Sequence, residues 1–470
     1  MHPARINELV ALDHQHVWHP FTPMRQWRES NPLIIESGDG DCLIDAHGNR
    51  YIDGVSSIWC NVHGHRVRQI DQAIRDQLDR IAHTTMLGLT HEPAVDLARR
   101  LCNLAPGHLN KVFYSDAGAT AVEIAFKMAV GYWHHTGQPQ RNRFIGIRGA
   151  YHGDTTGSMS VGYDETFHRP FKSMVFETDF VPAPDPFHTH RPPEDTTDRR
   201  WALEHPDHCA AIKDHALQAL DQHLSKCADR TAAIVVEPLV QGAAGLIVHP
   251  PGYLADVADL ARRHHTLLIA DEVATGFGRT GAMFAADHEH VAPDILCLGK
   301  GLTGGYLPLA ATLATDTIEQ AFTGEIHEHR TLYHGHTYTG NPLACAAALA
   351  SLDLFESTNL IEHVNRKAEL LAQHLNPLRD ASRFPYVGDV RQRGLMAGIE
   401  LTIPGTDGAT GFDPSRRWGA DICRACRDRG IIIRPLGNVI VLMPPLAIRD
   451  ENLIYLTDTV VSVIADYPFE

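Results

Sequence analysis

The chain has 470 residues, 44% of them hydrophobic, which is enough to bury a large core and more than one average domain requires. Its formal net charge of -16, with no run of Lys or Arg, argues against nucleic acid as a partner and points to small-molecule chemistry. The first residues lack the basic start and apolar run of a signal peptide, no stretch of about eighteen apolar residues occurs, and the nine scattered cysteines read as reduced thiols; a soluble cytoplasmic protein without membrane contact is expected.

In chain order, LIIESGDGDCLIDAHGNRYIDG predicts short strands separated by turns at Gly40 and Gly48. From about residue 111 to residue 312 the apolar runs KVFYSD, FIGIRG, AAIVVEP, TLLIAD, DILCLG and LAATLAT alternate with helix-like segments such as ATAVEIAFKMAVGYW. That alternation predicts an α/β fold with a mainly parallel sheet covered by helices. Three of the runs end in Asp116, Glu237 and Asp271, so acidic groups are expected at the carboxyl ends of the strands, where such sheets bind ligands. The stretch from Phe180 to about Pro206 is rich in Pro, Asp and His without an apolar period and reads as a surface excursion. After Leu343 the helical ACAAALASLDLF and EHVNRKAELLAQHL precede strand-like GLMAGIEL, GIIIRP and VIVLMPP, which reads as a separate α/β subdomain.

Metal binding is the first chemistry the residues suggest, through the pairs His134/His135 and His264/His265 and the group His188, His190, His205 and His208. These have no HExxH or matching Cys/His spacing, so solvated loops and no metal are expected. Cys423 and Cys426 form a lone CxxC at ordinary helix positions. Lys300 is more informative. It follows the strand DILCL between Gly299 and Gly301, where its amine can project with little cover and condense with an aldehyde. A phosphate-binding P-loop fails here, because Asp294 and Gly301 stand where Gly and Ser or Thr are required. Asp271 ends another buried strand and can keep a pyridine nitrogen protonated. VFYSDAGATAVEIAFK supplies a strand, a small-residue turn and a helix start, whose free amides around Gly118, Ala119 and Thr120 suit a phosphate. Phosphate cup, acidic strand end and glycine-flanked lysine follow one another in the order that a pyridoxal-phosphate site requires. Gly276, Gly278 and Gly281 match GxGxxG, with Asp294 farther on, and would suit an NAD-binding oxidoreductase. Five residues separate that motif from its strand and no clear helix follows it, so this reading is the weaker one. A non-catalytic scaffold is disfavoured by the presence of both Lys300 and Asp271.

DEVATGFGRTG followed by PDILCLGKGLTGG resembles the cofactor region of the fold-type I, class III aminotransferases. HVWHPFTPM at 16–24, DGVSSIWCNVHGH at 53–65, AYHGDTTG at 150–157 and IIIRPLGN at 431–438 resemble one branch of that family, the 7,8-diaminopelargonate synthases of biotin synthesis. The resemblance implies a large cofactor-binding domain over 58–355 and a smaller α/β domain built from 1–57 and 356–470. It implies that Lys300 carries pyridoxal 5'-phosphate as a Schiff base, Asp271 binds the pyridine nitrogen, Tyr151 stacks on the ring, and Gly118 and Ala119 hold the phosphate. Thr337, with His336 before it, would meet the phosphate from the neighbouring subunit, making a homodimer with shared sites. Phe21, Trp59, Tyr151, Lys300 and Gly335 map to substrate-contacting positions, and Arg434 to the group that meets the carboxylate of 8-amino-7-oxononanoate. The implied donor is S-adenosylmethionine. Phe21, where tyrosine is often found, His336, where proline is often found, and Ala119 in place of a serine depart from the common pattern; Phe21 and His336 resemble members that use L-lysine. Another class III aminotransferase, acting on ornithine, 4-aminobutyrate or a related omega-amine, shares the same cofactor residues.

Overall fold

The computed structural model describes residues 1–188, 202–404 and 414–469. Near the start, β1 (Ile35–Asp39), β2 (Cys42–Asp45) and β3 (Arg50–Asp53) form an antiparallel meander. Gly40 and Gly48 sit at its turns with φ of 56° and 87°, a left-handed conformation that favours glycine.

Each of the six apolar runs becomes a strand of one seven-stranded sheet. They are β4 (Leu109–Ser115), β5 (Arg143–Ile147), β7 (Thr231–Val236), β8 (Leu267–Asp271), β9 (Ile295–Leu298) and β10 (Ala310–Thr315), and β6 (Asp179–Val181) adds an edge. The order is β4-β10-β9-β8-β7-β5-β6, and only β10 runs against its neighbours, so the expected mainly parallel sheet is found. The inner strands β7, β8 and β9 read as nearly unbroken apolar runs because both faces are covered. In β7, Ala233 and Val235 meet Ala121, Ile124 and Ala125 of the helix Gly118–His135 in one core cluster, while Ile234 and Val236 join Leu220, Leu224 and Val257 in another. Each large side chain buried in this way contributes about 1.5–3 kcal/mol.

The C-terminal strands Val387–Arg393, Met396–Leu401, Val439–Leu442 and Arg434–Leu436 form a second antiparallel sheet. Ile431–Ile432 instead pairs in parallel with β3, so residues near the two ends of the chain share one sheet. Cys42, Ile52, Ile399, Ile431, Ile440 and Val460 accordingly lie in a single core cluster. No helix among the described residues is long and apolar enough to cross a membrane.

The stretch from Phe180 to Pro206 corrects one expectation. Phe180 and Val181 belong to β6, and Pro184, Asp185, Pro186 and Phe187 are buried; His190 and the rest of 189–201 lie outside the described residues. His188 and His208 are therefore not solvated. His208 is buried with Nε2 at Pro186 O, and His188 bridges Asp185 and Glu400, each at 2.7 Å. Arg391 joins the same group, donating to Glu400 at 2.6 Å and to Leu246 O at 2.9 Å. The described part of the stretch up to His188 is anchored to the C-terminal sheet by charge, which needs no apolar period.

Burial works against a charged His188, but the hydrogen bonds and charges of Asp185 and Glu400 outweigh it and raise its pKa from 6.5 to about 10. A raised folded pKa stabilises the fold fully below the unfolded value and ceases to do so as pH rises through the folded one. Urea titrations of the wild type should thus lose stability between pH 6.5 and about 10, and His188→Gln should flatten that slope. An unchanged slope in the variant would refute the assignment.

Candidate active site

Adjacent strands β9, β8, β7 and β5 release the chain at their carboxyl ends into Lys300, Asp271, Glu237 and the Ala150–His152 turn. Their register aligns Asp271 with Cys297 and Ala270 with Val236, so neighbouring strands finish at one level. This is the place where an open parallel sheet forms a ligand crevice. Asp116, read as part of the same acidic group, is instead exposed and accepts from Thr120 Oγ1 at 2.9 Å.

Asp271 is buried, and both carboxylate oxygens are occupied. Nδ1 of His152 donates to Oδ2 at 2.7 Å, and the Val273 amide donates to Oδ1 at 3.0 Å. Glu237 accepts from the Tyr151 and Gly242 amides, each at 2.9 Å. Burial, with the charge of Asp271, pushes its pKa up to about 7. Lys300 is half-buried, with φ 40° and its Nζ 4.7 Å from the centroid of the Trp59 ring. Burial lowers its pKa although Asp271 and Glu237 pull it upward, so the free amine is more available than in water.

The helix Gly118–His135 begins beside these groups with first-turn amides that no helix carbonyl can satisfy. A Cβ on Gly118 would lie 2.5 Å from Val273 Cγ1, and one on Gly153 would lie 2.4 Å from Ala119 Cβ. The helix start is thus pressed between the residue after Asp271 and the Tyr151 turn. Thr120 Oγ1 accepts from the Ala117 amide at 3.0 Å and steadies the first turn. Tyr151 is half-buried, with its hydroxyl donating to Asp154 at 2.8 Å.

Trp59 reaches Lys300 from a strained segment. Ser56, Ser57 and Trp59 have φ of 51°, 62° and 64°, each costing about 1–3 kcal/mol unless the surroundings enforce it. Asp53 does so by accepting from the Ser57 amide at 2.8 Å and its hydroxyl at 2.9 Å, while Ser56 Oγ donates to Met443 O at 2.6 Å. Buried Arg279 donates to Ser56 Oγ at 3.2 Å and to Asn61 O at 3.4 Å. The GFGRTG stretch containing Arg279 therefore braces the Trp59 segment. It leads into the 3-10 turn Ala285–Glu289 and not into an α-helix that could receive a pyrophosphate.

The structure brings Lys300, Asp271, Trp59, Tyr151, Gly118 and Ala119 into one region. Phe21 is 64% exposed and packs edge-on against Phe167; Gly335 and Thr337 are exposed, and His336 Nε2 lies 3.7 Å from Asp116. Arg434 is exposed, without a salt bridge among the described residues. Sequence reasoning missed His152 as a site residue and left Glu237 without a partner. His152 immediately follows Tyr151 and Glu237 ends its strand, but nothing in their spacing says that they meet Asp271 and the Tyr151 amide.

Asp179, His223 and Cys227 place three metal-type ligand atoms within 4.8 Å of one another. Arg143 pairs with Asp179, His223 Nε2 lies 3.2 Å from Asp179, and Cys227 donates to His223 O.

Residues 24–464 match the model of the family described as aminotransferase class-III. The chain is 49% identical over 448 residues to the adenosylmethionine-8-amino-7-oxononanoate aminotransferase of Geobacter sulfurreducens, covering 95% of each. A crystal structure of the enzyme of that name from Methanocaldococcus jannaschii superposes with a TM-score of 0.88 at 44% identity, covering 97% of this chain and 98% of that one. An amine transaminase from an uncultivated Pseudomonas species, in its PLP-bound internal aldimine form, superposes at 0.86 with 35% identity, covering 96% and 98%.

Burial lowers the amines of Lys300 and Lys367, two of the seven lysines, and Lys367 is sealed to 6% exposure with Nζ on Leu446 O. Brief cyanate treatment of the cofactor-free protein near pH 7 should therefore carbamylate Lys300 before any other lysine, as read by peptide mass. Preferential labelling of exposed Lys172 would show that the cleft does not activate the amine.

Proposed function

We propose that this chain, which belongs to the aminotransferase class-III family, converts 8-amino-7-oxononanoate to 7,8-diaminononanoate in biotin synthesis, with S-adenosylmethionine as amino donor. The observation that carries this reading is the joining of Lys300 and Asp271 on adjacent strands, in a chain 43–49% identical over most of its length to enzymes of that name.

The donor set fits pyridoxal 5'-phosphate: an amine of lowered pKa for the aldehyde, a buried carboxylate for the pyridine nitrogen, and open helix amides at Gly118 and Ala119 for the phosphate. When bound, it supplies an aldehyde that condenses with amines and a ring that withdraws electrons from the attached carbon. Lys300 would hold it in the resting enzyme. Its free Nζ would take the proton from the donor carbon that loses nitrogen, and in the second half-reaction would return one to the carbon that gains nitrogen. Asp271 would keep the ring nitrogen protonated. Trp59, whose ring centroid lies 4.7 Å from Nζ, would limit water there, and Tyr151 would pack against the ring. Arg434, which has no salt bridge among the described residues, offers its planar fork to the substrate carboxylate.

We read Thr337 and His336 as completing the phosphate site of a second copy, in a homodimer, because their loop is exposed. The nine cysteines are all free, which suits the cytoplasm. A second reading, with L-lysine as donor, rests on Phe21, which offers no hydroxyl at an exposed position, and on His336.

Single-turnover absorbance of the holoenzyme should show loss of its resting band with S-adenosylmethionine, and Lys300→Ala should abolish transamination. Conversion by lysine alone would move the chain to the second reading. Response to neither donor would overturn the assignment in favour of another omega-amine. Arg434→Met should raise the KM for 8-amino-7-oxononanoate by about 10- to 100-fold, the scale of one charge-assisted hydrogen bond, with a small change in kcat.

A further inference from the structure

The structure assigns a zinc-type divalent cation site to Asp179, His223 and Cys227, where the ion fastens the last turn of a helix to the edge strand β6. Cys227 ends the helix Pro206–Cys227 and His223 stands one turn earlier, so their side chains leave the same face. Asp179 opens β6, which packs against that helix. The imidazole nitrogen, the sulfur and a carboxylate oxygen all lie within 4.8 Å of one another. A tetrahedral zinc ion with bonds of about 2.0–2.3 Å spaces its ligand atoms about 3.3–3.8 Å apart, so small side-chain rotations close the set around an ion. A nitrogen, a sulfur and an oxygen suit zinc and its transition-series neighbours, whereas magnesium and calcium take oxygen.

Two details separate this trio from an ordinary polar cluster. Nε2 of His223 is buried without a hydrogen-bond partner among the described residues, although it lies 3.2 Å from Asp179 Oδ2. It is near enough to share an ion with that oxygen, yet not aligned to donate to it. A buried nitrogen left in this state costs free energy that a bound cation recovers. The carboxylate is also divided: Arg143 meets Oδ1 at 3.7 Å and directs its other amino group to Glu177, which leaves Oδ2 toward His223. The Cys227 thiol donates to His223 O at 3.1 Å and releases its proton to solvent on binding the ion. Thr231 Oγ1, 3.6 Å from the sulfur, can then donate to the thiolate. His223 and Asp179 keep 31% and 22% of their side-chain surface exposed, which gives the ion a way in and water a place as fourth ligand. Asp179 stands at the amino end of its strand, whereas Asp271 and Lys300 follow carboxyl ends, so the ion stabilises the sheet edge and takes no part in the chemistry.

The test uses untagged holoenzyme, stripped of metal with a chelator and of excess cofactor by gel filtration, and titrated with Co2+ as the probe. The expected result is one equivalent bound per chain with the spectrum of four-coordinate cobalt carrying a thiolate, read as a difference from the metal-free holoenzyme, and displaced by Zn2+. Cys227→Ser and His223→Gln should each weaken binding by at least about 100-fold, more than the 10- to 100-fold that an outer-shell partner is worth, and should remove the thiolate signal. Zn2+ should raise the unfolding temperature of the wild type up to one equivalent and that of neither variant, with turnover unchanged in all three. Circular dichroism checks the fold. A wild type that shows only the weak six-coordinate spectrum overturns the proposal, as does a thiolate signal that survives in folded Cys227→Ser, since another cysteine would then hold the metal. If Cys227→Ser does not fold, alkylation of the wild type read by peptide mass replaces it: Zn2+ should protect Cys227 alone among the nine cysteines, and equal labelling with and without Zn2+ overturns the assignment.

Discussion

A carboxylate withdrawn from water must be matched by donors or lose its charge, and Asp271 meets that constraint without closing its open side. It ends a buried strand, receives His152 on one oxygen and a backbone amide on the other, and faces the cleft in which Lys300 lies. Much of the surrounding structure follows from keeping these groups in place. The parallel register sets β8 and β9 level, the helix Gly118–His135 is wedged beside Val273, and the Tyr151 turn is fastened to β7 through Glu237. Each element is braced by a different kind of contact, so the site does not depend on any single loop.

The far side of the cleft is built by the opposite strategy. Trp59 sits on a segment with three left-handed non-glycine residues, a conformation that local propensity resists. It persists because Asp53, Met443 and Arg279 satisfy it from three separate parts of the chain. The strand pairing of Ile431 with Ile52 belongs to the same joint, since it fixes β3 just before the strained segment. The GFGRTG stretch, tempting as a nucleotide loop, is occupied in bracing it.

The charged group around His188 shows how a polar stretch can be structural. Its histidines carry no hydrophobic period, and from spacing alone they read as solvent-facing. Their partners, Glu400 and Arg391, lie some two hundred positions away, and Coulomb attraction between them holds the edge of the large sheet against the C-terminal sheet.

What the sequence determined by itself is what depends on near neighbours and on covalent order. Apolar runs marked six strands correctly because a strand covered on both faces is built mainly of apolar residues, and Lys300 between glycines beyond one strand and Asp271 at the end of another stood out because those positions are set by the strand that carries them. Tertiary structure alone decided the antiparallel direction of β10, the partner of Asp271, the seating of Trp59 over Lys300, and the anchoring of His188. Each of those rests on groups far apart in the chain, and an ion pair or hydrogen bond needs only the right atom at about 3 Å, with no periodic pattern to announce it. The exposure of Phe21, Gly335, Thr337 and Arg434 belongs to the same class, because residue type marks what a side chain can bind while only the path of the backbone decides where it stands.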